Sequence, residues 1–552
     1  MNSVTRRRWL LLGWLVLATL VCNGLRDLIQ PDEGRYARIP AEMLAAGEWV
    51  VPQLNGLPYV EKPPLQYWAT AAAYAVLGEH GWVSRLWTLL LGVAGVVAVH
   101  AAGRRLFDER AADLAALILL SAPLYLLVGQ VNLLDMGLTF FLTAALLCFL
   151  LAQRDEADES QRRRWMLWCW AVLGLGFLQK GLAAWAIPVI ALVAYSLVRR
   201  DARLWTRLHL LPGLALLALL VLPWSLLLAW RDARLAEFFF IHEHFTRFLT
   251  TEHRRDQPGW YFIAVLLGGC LPWIGLMLRE AFAALRGASA RAPAQAPRFD
   301  VPLALALWAA TVVVFFSLSG SKLVPYIMPA VPPLALLAGR GLARRAPEAS
   351  QRLAGLWPLA VLLGVILLIA QPVTLALVKG GSLQPLYRAV GPYVEAAGVL
   401  VLAGAAWAMV SLRRGAGLRA SVLRLALPLH LACLVLVTGG NLLADLRGTP
   451  GAPAAVQARL QPQTPFYCVG TYLHVLAFDL RRNCTLVDYT GELQVQFARG
   501  VPLSFEDFAR QWQASADAVA LVDDHWLARL REAGLPFVVL AGYPSHSIVA
   551  HP

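Results

Sequence analysis

Three stretches of this sequence combine carboxylates with cations in patterns able to handle an anionic headgroup. The first reads Pro31-Asp32-Glu33-Gly34-Arg35-Tyr36-Ala37-Arg38 and resumes at Pro58-Tyr59-Val60-Glu61-Lys62-Pro63-Pro64-Leu65. Carboxylates alone repel phosphate, so the adjacent Arg35, Arg38 and Lys62 matter. The plain alternative is a solvated loop whose acids and bases neutralise one another. The second stretch is Phe240-Ile241-His242-Glu243-His244-Phe245-Thr246-Arg247. Arg247 offers a guanidinium that matches phosphate as a fork. His242 with Glu61 could hold a divalent metal such as zinc or, protonated, a phosphate; two interfacial histidines without metal is the simpler reading. The third is Ser321-Lys322-Leu323-Val324-Pro325-Tyr326, where Lys322 and Tyr326 are either ligand groups or an interfacial anchor pair.

Two single residues join them. Asp135 stands at the end of a hydrophobic run, where an acid is costly unless it meets water, a partner or a helix cap. Lys180 interrupts two short apolar runs, which suits a helix hairpin dipping to an aqueous cavity; snorkelling is its bland explanation.

The elements that position these groups follow from composition. The chain has 552 residues, 58% hydrophobic and only 15% charged, against about 25% charge in soluble domains. One soluble core cannot hide that much apolar surface, and disorder, collagen, coiled coil and disulfide scaffold are excluded with it. The chain reads as a polytopic α-helical membrane protein. With about 20 apolar residues per span, candidate spans are 9–22, 83–102, 111–130, 136–152, 165–178, 182–198, 208–230, 260–278, 301–318, 327–342, 353–378, 394–412 and 422–437. About thirteen spans put the termini on opposite sides. The first lacks a small-residue cleavage site before Arg26 and reads as a retained span, not a signal peptide.

If the amino terminus with Arg6, Arg7 and Arg8 is cytoplasmic, the clusters at Arg104–Arg105, Arg162–Arg164, Arg199–Arg200, Arg279, Arg344–Arg345 and Arg413–Arg414 all fall inside, as orientation by positive charge requires. The net charge of +13 is then topology, and nucleic acid drops out as a partner. Only four lysines, Lys62, Lys180, Lys322 and Lys379, stand against 44 arginines. All four fall on the outer side, where topology gives no reason for them.

Two outer loops are long, 23–82 and 231–259. From Leu65 an aromatic and alanine-rich helix suits the interface. The chain divides into a membrane part, 1–440, and a small outer α/β domain, 441–552, with strands expected at 466–470, 485–488, 518–522 and 537–540 and helices at 505–514 and 525–533. Cys468 and Cys484 share this domain and either pair or remain thiols; the other five cysteines lie in or beside spans.

The Asp-Glu pair after the first span, the Glu-Lys-Pro-Pro-Leu string before an aromatic helix, and the later Ser-Lys-Leu-Val-Pro-Tyr resemble the GT-C glycosyltransferases that use polyprenyl-phosphate sugars. Within these the chain is similar to the aminoarabinose transferase family of Gram-negative bacteria. That resemblance implies a GT-C fold of about thirteen transmembrane helices with a carboxy-terminal periplasmic α/β domain, in the inner membrane, with the amino terminus cytoplasmic. It implies undecaprenyl phosphate-linked 4-amino-4-deoxy-L-arabinose as donor, lipid A phosphate as acceptor, single-displacement inversion, no required cofactor, a monomer, and polymyxin resistance as the outcome. On this reading Asp32, Glu61 and Asp135 are the candidate catalytic or sugar-binding acids. Lys62, Arg35, Lys180, Arg247, Lys322 and Tyr326 bind substrate. The rivals are a protein O-mannosyltransferase and a lipid or sugar transporter, although no paired half-repeats support the latter.

Overall fold

The structure, a computed structural model, describes residues 13, 17–24, 26–246, 257–287, 299–344, 356–377, 384–442, 452–493, 495–497, 502–543 and 545–552. Helix α1 (Asp32–Ala46) leads to a short hairpin, β1 (Gln53–Leu54) and β2 (Leu57–Pro58), and then to α2 (Leu65–Leu77). The bundle continues with α3 (Leu86–Leu106), α4 (Glu109–Leu120), α5 (Leu134–Gln153), α6 (Glu159–Lys180), α7 (Ala183–Arg199) and α8 (Leu210–Arg231). After a π-helical segment, Phe238–Thr246, come α9 (Tyr261–Gly269), α10 (Ile274–Gly287) and α11 (Val301–Leu318). A 3-10 turn, Val324–Ala330, leads into α12 (Val331–Ala343), followed by α13 (Leu356–Leu377), α14 (Gln384–Arg413) and α15 (Leu418–Gly439).

Among the described residues eight helices are long and apolar enough to cross a membrane, and nine if α9 and α10, bent by 120°, form one span. The described parts of the candidate spans are largely helical, and two are broken beside a proline. Residues 111–130 stop at Ser121 and restart at Pro123; residues 260–278 stop at Cys270, beside Pro272. A proline has no N–H for the ladder and its ring clashes with the preceding turn. Helix α6 runs further than its apolar stretch because the Asp158 side chain accepts from the Gln161 N–H and caps a polar first turn. It therefore carries Arg162–Arg164 at one end and Lys180 at the other, roughly 27 Å apart along the axis.

The carboxy-terminal part contributes β3 (Phe466–Val469), α16 (His474–Asp479), β4 (Thr485–Val487), α17 (Phe505–Ala514), β5 (Val519–Asp523), α18 (Asp524–Glu532), β6 (Val538–Gly542) and β7 (His546–Ala550). The sheet order is β4-β3-β5-β7-β6, parallel across its first three strands and antiparallel across the last three. Cys468 and Cys484 form a disulfide between neighbouring strands β3 and β4.

Helix α1 joins the two parts. Its residues from Glu33 to Met43 are buried, and Tyr36, Ile39 and Met43 share one apolar cluster with Tyr67 of α2 and with Phe466 and Leu521 of the sheet. Gly34 is needed where α16 crosses: a Cβ there would lie 2.6 Å from the Val475 backbone nitrogen. The helix ends where Gly47 takes a left-handed conformation, φ 64°, at no steric cost.

The join is fixed by Glu33. Its carboxylate, 1% exposed, accepts from Arg26 at 2.7 and 2.6 Å, from Arg85 at 2.8 and 3.1 Å, and from the backbone N–H groups of Ile29 and Asn132 at 3.0 and 2.9 Å. Burial alone would push this carboxyl up, but Arg85 and Arg26 outweigh it and hold it at about 2. The bonds tie α1 to the start of α3 and to the turn that begins α5. Glu33→Gln leaves two buried guanidinium groups facing a neutral amide. Thermal unfolding in detergent should show a loss of about 3–5 kcal/mol; a loss under about 1 kcal/mol would mean the cluster is not what holds α1.

Candidate active site

Four loops or helix ends bring polar groups to a cavity of about 300 Å³. Glu61 and Lys62 enter from the segment before α2, Lys180 from the end of α6, Glu243 from the π-helical segment, and Ser319, Ser321 and Tyr326 from the turn between α11 and α12. Apolar walls come from Leu138, Leu182, Ala183, Phe315 and Phe316. This is the Lys180 end of the bundle, opposite the Arg162–Arg164 end.

Both lysines in the wall already have carboxylate partners. The Lys62 ammonium donates to Glu243 at 2.7 Å and to the Glu61 carbonyl at 2.8 Å; the two side chains are 15% and 3% exposed. Lys180 is paired with Asp135 and lies 4.4 Å from the centre of the Tyr326 ring, a cation–π contact. A chain of buried amides holds that second pair in place. Gln179 donates to Gln66 at 2.8 Å and to the Leu134 carbonyl at 3.3 Å, and Gln66 donates to Asn132 at 2.9 Å. It links α2, the start of α5 and the end of α6, so Asp135 and Lys180 cannot drift apart independently. A Cβ on Gly137 would meet the Gln179 amide at 2.2 Å.

The candidates do not all gather here. Lys322 is buried behind the wall, donating to the Ser319 carbonyl at 2.7 Å. Asp32 is 39% exposed, 3.6 Å from Arg35, and does not line the cavity. Arg35 turns towards the carboxy-terminal part, where it pairs with Glu492 and donates to the Tyr59 hydroxyl at 3.2 Å. Arg38 likewise reaches Glu42 and Asn483, both at 2.8 Å. Tyr36 stacks on Tyr67 at 6.2 Å. Beyond the effect of burial, Asp32 raises the Tyr36 hydroxyl, while Glu61 and Glu243 raise that of Tyr67. Arg247 and Lys379 lie outside the described residues.

The Glu61–His242 metal pair finds no supporting set. Among the described residues no three His, Cys, Asp or Glu side chains gather to hold an ion, and zinc ordinarily takes at least three protein ligands. His242 instead stacks on Phe238 at 4.7 Å and sits 3.9 Å from Glu243.

A second cavity, about 350 Å³ and almost wholly apolar, lies further along the same helices towards the arginine end. Phe149 of α5, Leu192 of α7, Leu214 of α8 and Trp308 of α11 line it. Sequence reasoning missed Glu243, whose partner is 181 residues away, and the Gln66–Asn132–Gln179 chain.

The chain matches the dolichyl-phosphate-mannose-protein mannosyltransferase family over residues 8–239 and the aminoarabinose transferase C-terminal domain over residues 452–551. An undecaprenyl phosphate-alpha-4-amino-4-deoxy-L-arabinose arabinosyl transferase from Edwardsiella ictaluri is 32% identical over 555 residues, 96% of this chain and 93% of the relative. One of that name from Pseudomonas aeruginosa is 38% identical over 355 residues, 62% of this chain; the match spans about 60% of that relative's length. Among solved structures, ArnT from Cupriavidus metallidurans bound to undecaprenyl phosphate superposes with a TM-score of 0.89 at 33% identity, covering 99% of this chain and 98% of that one.

The contact beside Asp32 sets a pH dependence. Burial pushes the Glu492 carboxyl up, but His474, at 2.5 Å, and Arg35 outweigh it and bring it from its ordinary 4.5 to about 2. A carboxyl depressed in the folded state contributes its full stability above 4.5 and loses it as the pH falls towards 2. Protease resistance of the carboxy-terminal part should therefore weaken between pH 4.5 and 2, and Glu492→Gln should flatten that dependence. An identical pH profile in the variant would contradict the assignment.

Proposed function

This chain belongs to the undecaprenyl phosphate-4-amino-4-deoxy-L-arabinose arabinosyl transferase family, and we propose that it moves 4-amino-4-deoxy-L-arabinose from undecaprenyl phosphate to a lipid A phosphate. The observation that carries this reading is the cavity holding Lys62 and Lys180 at the end of the bundle opposite the arginine clusters. The positive-inside rule supports reading that end, and the carboxy-terminal α/β domain of residues 441–552, as lying on the periplasmic face of a Gram-negative inner membrane. The protein acts as a monomer with its amino terminus in the cytoplasm.

Both substrates are membrane-held. A polyprenyl tail, at about 0.8 kcal/mol per buried methylene, stays in the bilayer, so chemistry belongs where headgroups can reach a wet cavity beside apolar walls. Transfer breaks the bond between the anomeric carbon and the donor phosphate oxygen. It forms one from that carbon to a lipid A phosphate oxygen, in line and with inversion. Undecaprenyl phosphate leaves with the bonding pair, and the ammonium groups of Lys62 and Lys180 meet the growing negative charge. Arg247 is assigned to the same phosphate, whereas Lys322, behind the wall, holds the Ser319 carbonyl of the turn that leads to Tyr326. Asp135 holds Lys180 in position, and Tyr326 covers it. The attacking phosphate is already anionic at neutral pH, so a strong general base is unnecessary. Asp32, half-exposed beside Arg35, is assigned to a protonated acceptor phosphate or to the positive charge developing at the anomeric carbon. Glu61 belongs to the sugar-facing wall.

Mass spectrometry of lipid A from cells with and without the chain tests this. A pentosamine present only with the chain is the expected result. Lys62→Met should lower transfer about a hundredfold or more, and Asp32→Asn should leave less than about a tenth. Unchanged lipid A together with altered protein glycosylation would favour a mannosyltransferase instead.

A further inference from the structure

We propose that Glu243 selects the amino sugar, by exchanging its Lys62 partner for the donor's ammonium group when the donor's phosphate takes Lys62. This rests on the transferase reading above. Both cavity lysines are matched by carboxylates before any ligand arrives. An incoming phosphate on either lysine therefore competes with a carboxylate for the same ammonium. The two pairs differ in where that carboxylate stands. Glu243 is part of the cavity wall, whereas Asp135 is behind it, at the start of α5.

A phosphodiester-linked amino sugar brings one negative and one positive charge. Placing its phosphate on Lys62 and its ammonium on Glu243 converts one ion pair into two, with no change in net charge and no proton moved. A neutral sugar on the same lipid phosphate would draw Lys62 from its 2.7 Å contact with Glu243 and offer that carboxylate no cation in exchange, with His242 Nδ1 3.9 Å away. At 3% exposure, water cannot make up that loss cheaply. The same exchange makes Glu243 a placeholder that keeps Lys62 aimed into the cavity between turnovers.

The π-helical segment supports this placement. It packs Phe239 against Phe177 and Trp224, at 6.2 and 5.2 Å between ring centres. These aromatic contacts fix the segment carrying Glu243 onto α6 and α8, beside Lys180.

The test compares two synthetic donors, undecaprenyl phosphate carrying the amino sugar and the same lipid with that amine N-formylated, in purified full-length enzyme with lipid A as acceptor. Wild type should favour the amine donor in kcat/KM by about tenfold or more, mostly through KM. The preference should fade as the pH rises through the ionisation of the sugar's ammonium. Glu243→Gln should shrink the preference about tenfold, and Glu243→Asp should keep most of it. Equal slowing of both donors in Glu243→Gln would show that the residue only positions Lys62 and would overturn the proposal. A preference erased by Glu61→Gln but kept in Glu243→Gln would overturn it too. If Glu243→Gln does not fold, the wild-type preference and its pH dependence decide: no preference for the amine refutes the exchange. Turnover of neither donor by wild type would instead refute the transferase reading itself.

Discussion

A single buried carboxylate, Glu33, takes up six hydrogen bonds from two guanidinium groups and two backbone amides drawn from four places in the chain. None of these groups tolerates burial alone, since an uncompensated charge in a low-dielectric interior costs several kcal/mol. They therefore stay assembled or fail together. The assembly sets the angle at which α1 leaves the bundle, and α1 carries the hairpin and the approach to α2. Through Asn132 it also fixes the turn from which Asp135 projects. The segment bearing Glu61 and Lys62 and the helix end bearing Asp135 are thus referred to one anchor.

From that anchor the cavity follows. Its lysines do not wait as exposed charges. Each is held by a carboxylate, and the Gln66–Asn132–Gln179 chain stiffens the Lys180 side. Such pre-paired cations lose little by reorganising when phosphate replaces carboxylate, because the positive groups are already aimed. The carboxy-terminal sheet closes over the same region. It shares an apolar cluster with α1 and α2, and its Cys484 backbone exchanges hydrogen bonds of 2.8 and 3.0 Å with Asn55 of the hairpin, beside the Cys468–Cys484 disulfide.

Much of this was legible in the sequence, for identifiable reasons. Apolar runs bounded by arginine mark the helices because a bilayer demands length and hydrophobicity. Lys62 and Lys180 stood out because lysine is so rare here. The misses are equally physical. Asp32 and Glu33 are adjacent, and a helix turns about 100° between neighbours; one faces the protein and the other solvent. Nothing local says which, and α1 itself was hidden because its charged faces are buried by partners distant in sequence, among them Arg85, 52 residues from Glu33, and Asn483, 445 residues from Arg38. Strand β7 was missed as a polar-looking chain end, His546-Ser547-Ile548-Val549-Ala550, although it pairs with both β5 and β6. Glu243 sat in view between two histidines, but its meaning depends on Lys62, which only the folded chain brings to it.

The most direct measurement is a structure of this chain with undecaprenyl phosphate bound. The account predicts the phosphorus inside the Lys62–Lys180 cavity, within hydrogen-bonding reach of the Lys62 ammonium, with Glu243 moved off that lysine. A phosphate held elsewhere, with the 2.7 Å Lys62–Glu243 pair intact, would contradict it.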